Sequence, residues 1–274
     1  MDAIEVQNAS VPALGLGTWQ LTGPACTETV ETALELGYRH VDTAQAYGNE
    51  RRVGRGIEAA DVDREDVFLV TKLDGSNRDA RSVRRSVRKS LHDLGTDYLD
   101  CLLIHWPNTP WMAPLSETLD AMNDLVDDGL VEHIGVSNFS PARLDRAREL
   151  SDAPILTDQV QYHPYWDQRQ LLDYCRIHDV LLTAYSPLAR GGVLDDPALV
   201  TIGNRYGKSP AQVALRWLVQ QEGVAAIPKA SSREHLEANM AIFDFELTDE
   251  ELAWIRNPSK GKTAYQFVRS QLPF

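Results

Sequence analysis

The chain has 274 residues, 43% of them hydrophobic and 24% charged, which suits one large α/β barrel or two small domains. No apolar run approaches the roughly 20 residues that span a bilayer, and Met1–Ser10 lacks the basic start and apolar centre of a signal peptide. The net charge of -13 argues against nucleic acids and anionic membranes as partners.

Among the charged residues Asp outnumbers Glu, 24 to 16, and Arg outnumbers Lys, 21 to 6. Such a surface is found in proteins that work in molar salt, where the Debye length is about 3 Å, and also in ordinary acidic cytosolic proteins. The three cysteines, Cys26, Cys101 and Cys175, are scattered, which favours a reducing compartment over a disulfide framework. We therefore expect a cytoplasmic protein.

Short apolar runs alternate with longer amphipathic segments along the whole chain. The runs that predict strands are Leu14–Gly17, His40–Thr43, Val67–Val70, Leu99–Ile104, Val131–Val136, Ile155–Val160, Val180–Ala184 and Val224–Ile227. The segments that predict helices are Thr27–Leu36, Glu50–Ala59, Asp79–Leu94, Ser116–Asp128, Pro141–Leu150, Gln168–His178, Pro210–Gln221 and Ser232–Met240. Gly37, Gly95 and Gly129 are placed to end helices, and Ser140 and Ser209 each precede a proline that can begin one.

Eight strand–helix pairs predict a parallel α/β fold, and eight strands are the number that closes a (β/α)8 TIM barrel. A doubly wound sheet is the alternative, and it usually carries G-x-G-x-x-G in its first βα turn. Here Leu14–Trp19 supplies only G-x-G, followed by Gln20. We therefore predict one barrel domain over residues 1–274.

Four titratable residues follow successive strands at the end where barrel enzymes hold their active sites. Asp42 and Lys72 close the second and third runs, Tyr47 lies in the loop after Asp42, and His105 follows the fourth run. Tyrosine has an ordinary pKa near 10, and a nearby ammonium lowers it, which makes a proton donor for a carbonyl. Histidine can hydrogen-bond the oxygen on which negative charge develops.

The segments around these residues resemble the aldo-keto reductase family over nearly the whole chain. The matching stretches include Gly37–Glu50 (GYRHVDTAQAYGNE), Thr71–Leu73, Asp100–Pro107 (DCLLIHWP), Gly135–Phe139, Gln159–Pro164, Ala184–Leu188 and Ile227–Lys229. The chain looks most like the prokaryotic branch typified by 2,5-diketo-D-gluconate reductases. The resemblance implies reduction of aldehydes and ketones with NAD(P)H, in which Tyr47 is the general acid, Lys72 and Asp42 assist it, and His105 orients the carbonyl.

The resemblance also implies contacts with the dinucleotide. Ser137, Asn138 and Gln159 match residues that hold the nicotinamide carboxamide, and Tyr185 matches the aromatic ring that stacks on it. Further cofactor positions are Thr18, Ser186, Leu188, Lys229, Ser231, His235 and Asn239. Lys229 matches the lysine that meets the 2′-phosphate of NADPH.

Two departures from the family pattern lie near that lysine. Ala230 replaces a usual serine, and His235 replaces an arginine, whose fixed fork suits phosphate better than a neutral imidazole does. Ser231 or Arg233 are candidates to compensate. We therefore expect NADPH to be favoured, with measurable use of NADH.

Trp19 and Trp106 match apolar walls of the substrate pocket, beside His105, so the expected partner is a small carbonyl compound. We expect no metal site, because no His or Cys pair has the spacing of a metal-binding motif. The resemblance to the family also implies a monomer. The alternative function is a cofactor-binding regulatory subunit on the same barrel, since one fold serves many functions. Tyr47→Phe separates the two, because only an enzyme depends on that hydroxyl.

Overall fold

The computed structural model describes residues 2–257 and residue 263, so the rest of the predicted domain lies outside the described residues. Eight parallel strands pair in chain order, which confirms the predicted barrel class. The first strand also reaches the last: Gly15 donates its backbone N–H to Ala226 O over 2.9 Å, and Ala226 N donates to Ala13 O over 2.8 Å. These bonds close the ring of strands, and closure removes the exposed edges of the sheet.

The barrel strands lie close to the predicted runs. They are β3 (Leu16–Gly17), β4 (His40–Asp42), β5 (Phe68–Leu73), β6 (Leu99–Ile104), β7 (Val131–Ser137), β8 (Ile155–Gln161), β9 (Leu181–Tyr185) and β10 (Val224–Ala226). A short β3 is enough for closure because Gly17 lies against the chain that follows β10. A Cβ atom at Gly17 would lie 2.7 Å from the carbonyl oxygen of Ile227, so only glycine permits this approach.

Helices cover the outside of the barrel, and their apolar faces form the main core against the strands. They are α1 (Gly23–Glu35), α2 (Glu50–Ala59), α3 (Ala80–Leu94), α4 (Leu115–Asp127), α5 (Pro141–Leu150), α6 (Arg169–Ile177), α7 (Pro197–Tyr206), α8 (Pro210–Val219), α9 (Arg233–Met240) and α10 (Asp249–Arg256). Ser209 begins α8 in a capping box with Gln212, as expected of that serine. Ser140 precedes α5 without a capping bond from its side chain.

A hairpin that the sequence patterns did not predict precedes the barrel. Its strands are β1 (Ala3–Val6) and β2 (Ala9–Pro12), which pair antiparallel. Val6, Ala9 and Val11 are buried and pack with interior barrel residues, among them Leu103 and Leu181. The hairpin therefore fills the barrel interior from the amino-terminal end of the strands, opposite the predicted site.

One carboxyl group is enclosed between the sheet and the helices without a charged partner. Asp158, in β8, is fully buried; its Oδ1 accepts a long bond of 3.4 Å from Phe139 N, and its Oδ2 has no hydrogen-bond partner among the described residues. Burial raises the pKa of Asp158 well above its ordinary value, and the bond from Phe139 opposes this only weakly. The folded protein therefore binds a proton at Asp158 more tightly than the unfolded chain does.

We predict that Asp158→Asn stabilises the protein at pH 8 by about 1–3 kcal/mol, because the amide has no charge to desolvate. Since the folded-state pKa is raised, Asp158 costs stability progressively as the pH rises from about 4 toward its folded pKa. Urea unfolding at pH 5 and pH 8 measures both effects. Asp152→Asn, an exposed control, should change neither. A pH dependence equal to that of the parent protein would contradict the prediction.

Candidate active site

The four residues expected to catalyse the reaction meet at the carboxyl end of the barrel strands. Asp42 ends β4, Lys72 lies near the end of β5, and His105 directly follows β6. Tyr47 ends a short 3-10 helix, Gln45–Tyr47, in the loop after β4. Because β4, β5 and β6 are adjacent in the parallel sheet, their ends bring these side chains together.

Lys72 and Asp42 form a buried ion pair beneath Tyr47. Lys72 Nζ donates to Asp42 Oδ1 over 2.5 Å and to the carbonyl oxygen of Thr43 over 2.8 Å. The second oxygen, Asp42 Oδ2, accepts from Gln159 Nε2 over 2.7 Å. Burial alone would lower the pKa of Lys72, but Asp42 and then Tyr47 outweigh it and raise that pKa, so the ammonium stays charged at neutral pH.

Tyr47 lies over this ammonium, with Lys72 Nζ 5.2 Å from the centre of its ring. Burial raises the pKa of Tyr47, and Lys72 opposes that rise. From the sequence, the lysine is expected to bring the pKa of the phenol below its ordinary value. The net shift is upward instead, because desolvation exceeds the attraction of the lysine. Tyr47 therefore carries its proton at neutral pH.

His105 stands beside Tyr47, with the two rings edge to face and their centres 5.8 Å apart. Burial, followed by the charge of Lys72, lowers the pKa of His105 to about 4. The imidazole is therefore neutral at pH 7 and has one N–H to donate.

The residues expected at the nicotinamide form one hydrogen-bonded group. Ser137 Oγ donates to the carbonyl oxygen of Gln159 over 2.7 Å, and Tyr185 Oη donates to Asn138 Oδ1 over 2.9 Å. Asn138 Nδ2 in turn donates to the carbonyl oxygen of His105 over 3.1 Å. Asn138 has a φ of 64°, a left-handed conformation that asparagine tolerates better than most residues. The bonds of its side chain hold this conformation and link β6, β7 and β9.

A cavity of about 1130 Å³ opens above this group. It is larger than most small-ligand pockets and has room for a dinucleotide beside a small substrate. The expected site residues that line it are Trp19, Asp42, Tyr47, His105, Trp106, Ser137, Asn138, Gln159, Tyr185, Ser186, Leu188 and Lys229. Trp19 and Trp106 expose 39% and 56% of their surface at this opening, as suits walls that a ligand covers.

Five expected residues do not line this cavity. Lys72 lies buried beneath Tyr47, and Thr18 is fully buried, with its Oγ1 unpaired among the described residues. Ser231 lies next to the cavity, 3.5 Å from Lys229 Nζ. His235 and Asn239 lie on α9, where His235 is exposed and Asn239 is buried.

The sequence-based prediction missed several lining residues. Gln161, Trp166, Gln168 and Arg190 also face the cavity. All four follow or end β8 or β9, so their position after barrel strands was the signal available.

Among the described residues, no three His, Cys, Asp or Glu side chains gather as a metal site. No helix in residues 2–257 is long and apolar enough to cross a membrane.

Comparison with known proteins agrees with this geometry. The model of the Aldo/keto reductase family matches residues 13–259. Methylglyoxal reductase DkgA of Escherichia coli is 37% identical over 262 residues, covering 94% of each chain. An aldo-keto reductase of Mycolicibacterium smegmatis is 40% identical over 253 residues, covering 92% of this chain and 91% of that protein.

Solved structures give the same result. A protein provisionally assigned as a 2,5-diketo-D-gluconic acid reductase B superposes with a TM-score of 0.91 at 46% identity, covering 93% of this chain and 90% of that one. The aldose reductase of Schistosoma japonicum superposes with a TM-score of 0.88 at 32% identity, covering 95% and 94%. This chain therefore belongs to the aldo/keto reductase family. It is an oxidoreductase of the carbonyl-reducing type that uses a nicotinamide cofactor.

We predict that Lys72→Met lowers the free energy of unfolding by about 3–5 kcal/mol, because it leaves the buried carboxylate of Asp42 unpaired. The double variant Asp42→Asn with Lys72→Met should recover much of that loss, since it buries no lone charge. Lys89→Met removes an exposed ion pair and should cost at most about 1 kcal/mol. Urea denaturation of the four proteins makes the comparison. The explanation is wrong if Lys72→Met costs no more than Lys89→Met.

Proposed function

We propose that this protein reduces small aldehydes and ketones with NADPH, and that Tyr47 donates the proton. The observation that carries the proposal is the stack of Tyr47 on the buried Lys72–Asp42 pair, beside a neutral His105 and at the edge of a large cavity. When bound, the cofactor supplies the hydride that reaches the carbonyl carbon.

Tyr47 begins the reaction as a neutral phenol and ends it as a phenolate. The phenolate forms next to the ammonium of Lys72, which stabilises the negative charge. Asp42 and the carbonyl oxygen of Thr43 hold the ammonium in place, so Lys72 need not reorganise as the charge develops.

His105 has a different part in this proposal. A neutral imidazole offers one N–H to the carbonyl oxygen without a positive charge that would compete with Lys72 for the phenolate. The edge-to-face contact with Tyr47 places both donors on the same side of the cavity. Together they would orient the carbonyl so that its oxygen faces Tyr47 and its carbon is left open to a hydride from the bound cofactor.

The cavity residues fit a nicotinamide dinucleotide. Asn138 and Gln159 would hold the carboxamide with their amide groups, and Tyr185 would stack on the ring. The buried and unpaired Oγ1 of Thr18 is a further polar atom near Asp42, since Thr18 N donates to the carbonyl oxygen of Asp42 over 2.9 Å. We therefore assign this end of the cavity to the nicotinamide and the end near Lys229 to the rest of the dinucleotide.

We infer a moderate preference for NADPH over NADH. Lys229 supplies one positive charge for a 2′-phosphate, with Ser231 beside it. Arg233 is a weak replacement for the missing arginine, because its guanidinium contacts Glu35 over 3.1 Å and Glu237 over 3.5 Å. His235 is exposed on the same helix, and a cation at position 235 would supply the second positive charge for the 2′-phosphate.

Small reactive aldehydes are the substrates that we propose. Methylglyoxal is a suitable first compound because similar proteins are named methylglyoxal reductases. The same groups also serve alcohol oxidation, so the direction in the cell follows from the cofactor ratio.

We further propose that the enzyme works as a monomer in the cytoplasm, where its three buried, unbridged cysteines would stay reduced. Its acidic surface would also tolerate a saline cytoplasm.

Tyr47→Phe tests the proton donor. We expect kcat with NADPH and methylglyoxal to fall at least about 100-fold, because general acid catalysis contributes about 10²–10⁴-fold. Binding of NADPH, followed by quenching of tryptophan fluorescence, should change by less than about twofold. Tyr98→Phe removes a hydroxyl remote from the cavity and should leave kcat unchanged. Full turnover by Tyr47→Phe would show that another group donates the proton, whereas a parent protein that binds NADPH without any turnover would favour a cofactor-binding regulatory barrel.

His235→Arg tests the inferred cofactor preference. We expect the ratio of kcat/KM for NADPH to that for NADH to rise about tenfold, since a charged hydrogen bond to phosphate contributes about 1.5–3 kcal/mol. His92→Arg adds the same charge on α3, away from the cavity, and should leave the ratio unchanged. A ratio that rises equally in both variants would show a general effect of charge, and no role for position 235.

A further inference from the structure

One arginine lies buried beside the site without belonging to the group described above. Arg78 is in the loop between β5 and α3, and 2% of its surface is exposed. Burial lowers the pKa of Arg78 to about 10, and the charge of Asp74 opposes this fall. The side chain is therefore still a cation at neutral pH, in a place where a charge is costly. Such a group next to a catalytic cluster points to a role in the site.

The guanidinium joins the ends of two barrel strands. Arg78 Nη1 donates to the carbonyl oxygen of Leu73, the last residue of β5, over 3.3 Å. Its Nη2 donates to the carbonyl oxygen of Trp106, just after β6, over 3.2 Å. Lys72 directly precedes the first acceptor, and His105 directly precedes the second. Arg78 therefore holds the backbone at the two points from which these side chains reach the site.

The carbonyl groups of His105 and Trp106 are held from two directions. Asn138 Nδ2 donates to the first over 3.1 Å, and Arg78 donates to the second. The imidazole and the indole lie nearly parallel, at 21° with their centres 6.4 Å apart, and both residues line the cavity. Because both carbonyl groups are bonded, the backbone has little freedom to turn either ring away from the cavity.

The loop of Arg78 is also bonded to the helix that carries Tyr47. Gln45 belongs to that short 3-10 helix, and its Oε1 accepts from Asp74 N over 2.9 Å. On the other side, the carbonyl oxygen of Arg78 accepts from Thr118 Oγ1, in α4, over 2.7 Å. The loop is therefore held near both ends, and it connects the two hydrogen-bond donors of the proposed site.

The charge of Arg78 also acts on His105. Burial has the largest effect and lowers the pKa of this imidazole, and Lys72 and Arg78 lower it further. Asp42 and Asp74 act in the opposite direction. The phenol whose ring faces the imidazole carries no charge at neutral pH. Without Arg78, the pKa of His105 is therefore expected to rise from about 4 toward its ordinary value.

We propose that Arg78 is a positioning residue of the active site, which holds the carbonyl oxygen of Trp106 so that the imidazole of His105 stays directed at the substrate carbonyl. The inference rests on the proposed function, since that reaction is what the geometry serves. The charge of Arg78 has a second effect: it disfavours a second proton on the imidazole, which stays a neutral donor. A small displacement of such a donor lowers kcat by up to about 100-fold, with little effect on cofactor binding.

Two substitutions separate the hydrogen bonds from the charge. Arg78→Met removes both, so we expect kcat with NADPH and methylglyoxal to fall about 10- to 100-fold, and the acid limb of kcat/KM to move to higher pH. Arg78→Lys keeps the charge without the fork, so the acid limb should stay where it is in the parent while kcat recovers only in part. Arg85→Met removes an exposed arginine of α3 and should change neither.

Two readouts distinguish a loss of positioning from a folding defect. Values of kcat are expressed per NADPH-binding site, titrated by quenching of tryptophan fluorescence, so unfolded protein does not count. Proton NMR of the imidazole rings, with the signals of His105 assigned from His105→Asn, gives the pKa of His105 without turnover. The same signals report the position of the ring, because the aromatic rings of Tyr47 and Trp106 shift them.

We expect the signals and the pKa of His105 to change in Arg78→Met and to stay unchanged in Arg85→Met. The proposal is overturned if Arg78→Met keeps the ring signals of the parent and a kcat per site within about twofold of it. An unchanged pKa of His105 in Arg78→Met would overturn the effect of the charge. A parent protein without turnover would contradict the proposed reduction, while the NMR signals would still decide whether Arg78 positions the imidazole.

Discussion

The ion pair between Lys72 and Asp42 is the interaction on which the rest of the site depends. Both charges are out of contact with water, a situation that costs several kcal/mol for each ion unless other bonds compensate. The compensation comes from three neighbours, the carbonyl oxygen of Thr43, the amide of Gln159 and the ring of Tyr47. Since these groups belong to β8 and to the loop after β4, the pair is stable only inside a correctly closed barrel.

Burial shifts the pKa values of Tyr47 and His105 in opposite directions, and the ammonium of the same pair acts to lower both. The positive end of the pair lies toward Tyr47 and His105: it opposes the rise that burial causes in the pKa of the phenol, and it adds to the fall in the pKa of the imidazole. Two neutral donors therefore stand side by side at neutral pH. The hydrogen bonds of Asn138 and Tyr185 extend this rigid group toward the nicotinamide end of the cavity.

Most of the barrel was predictable because each strand ends close to a glycine, a cap or a polar residue that marks its boundary. Four of the strands and α-helices in the described residues were not predicted: the hairpin strands β1 and β2, and the helices α7 and α10. The capping box of Thr248 with Glu251 marked α10 in the sequence. The types of the four site residues also followed from the sequence. The bond from Arg78 to Trp106 and the net rise in the pKa of Tyr47 did not, because tertiary packing and the extent of burial determine them.

The closure of the barrel also constrains how the chain folds. Gly15 bonds to Ala226, and Gln7 in the hairpin turn donates to the backbone of Ile155 and Asp179. The hairpin strands pair with each other locally, but the bonds of Gln7 to the barrel join residues that are 148 and 172 positions apart in the chain. Contacts of such long sequence separation form slowly, because the intervening loop must be ordered first. Until then β3 and β10 are unpaired edges, the places where a nascent barrel is most exposed to aggregation and to chaperones.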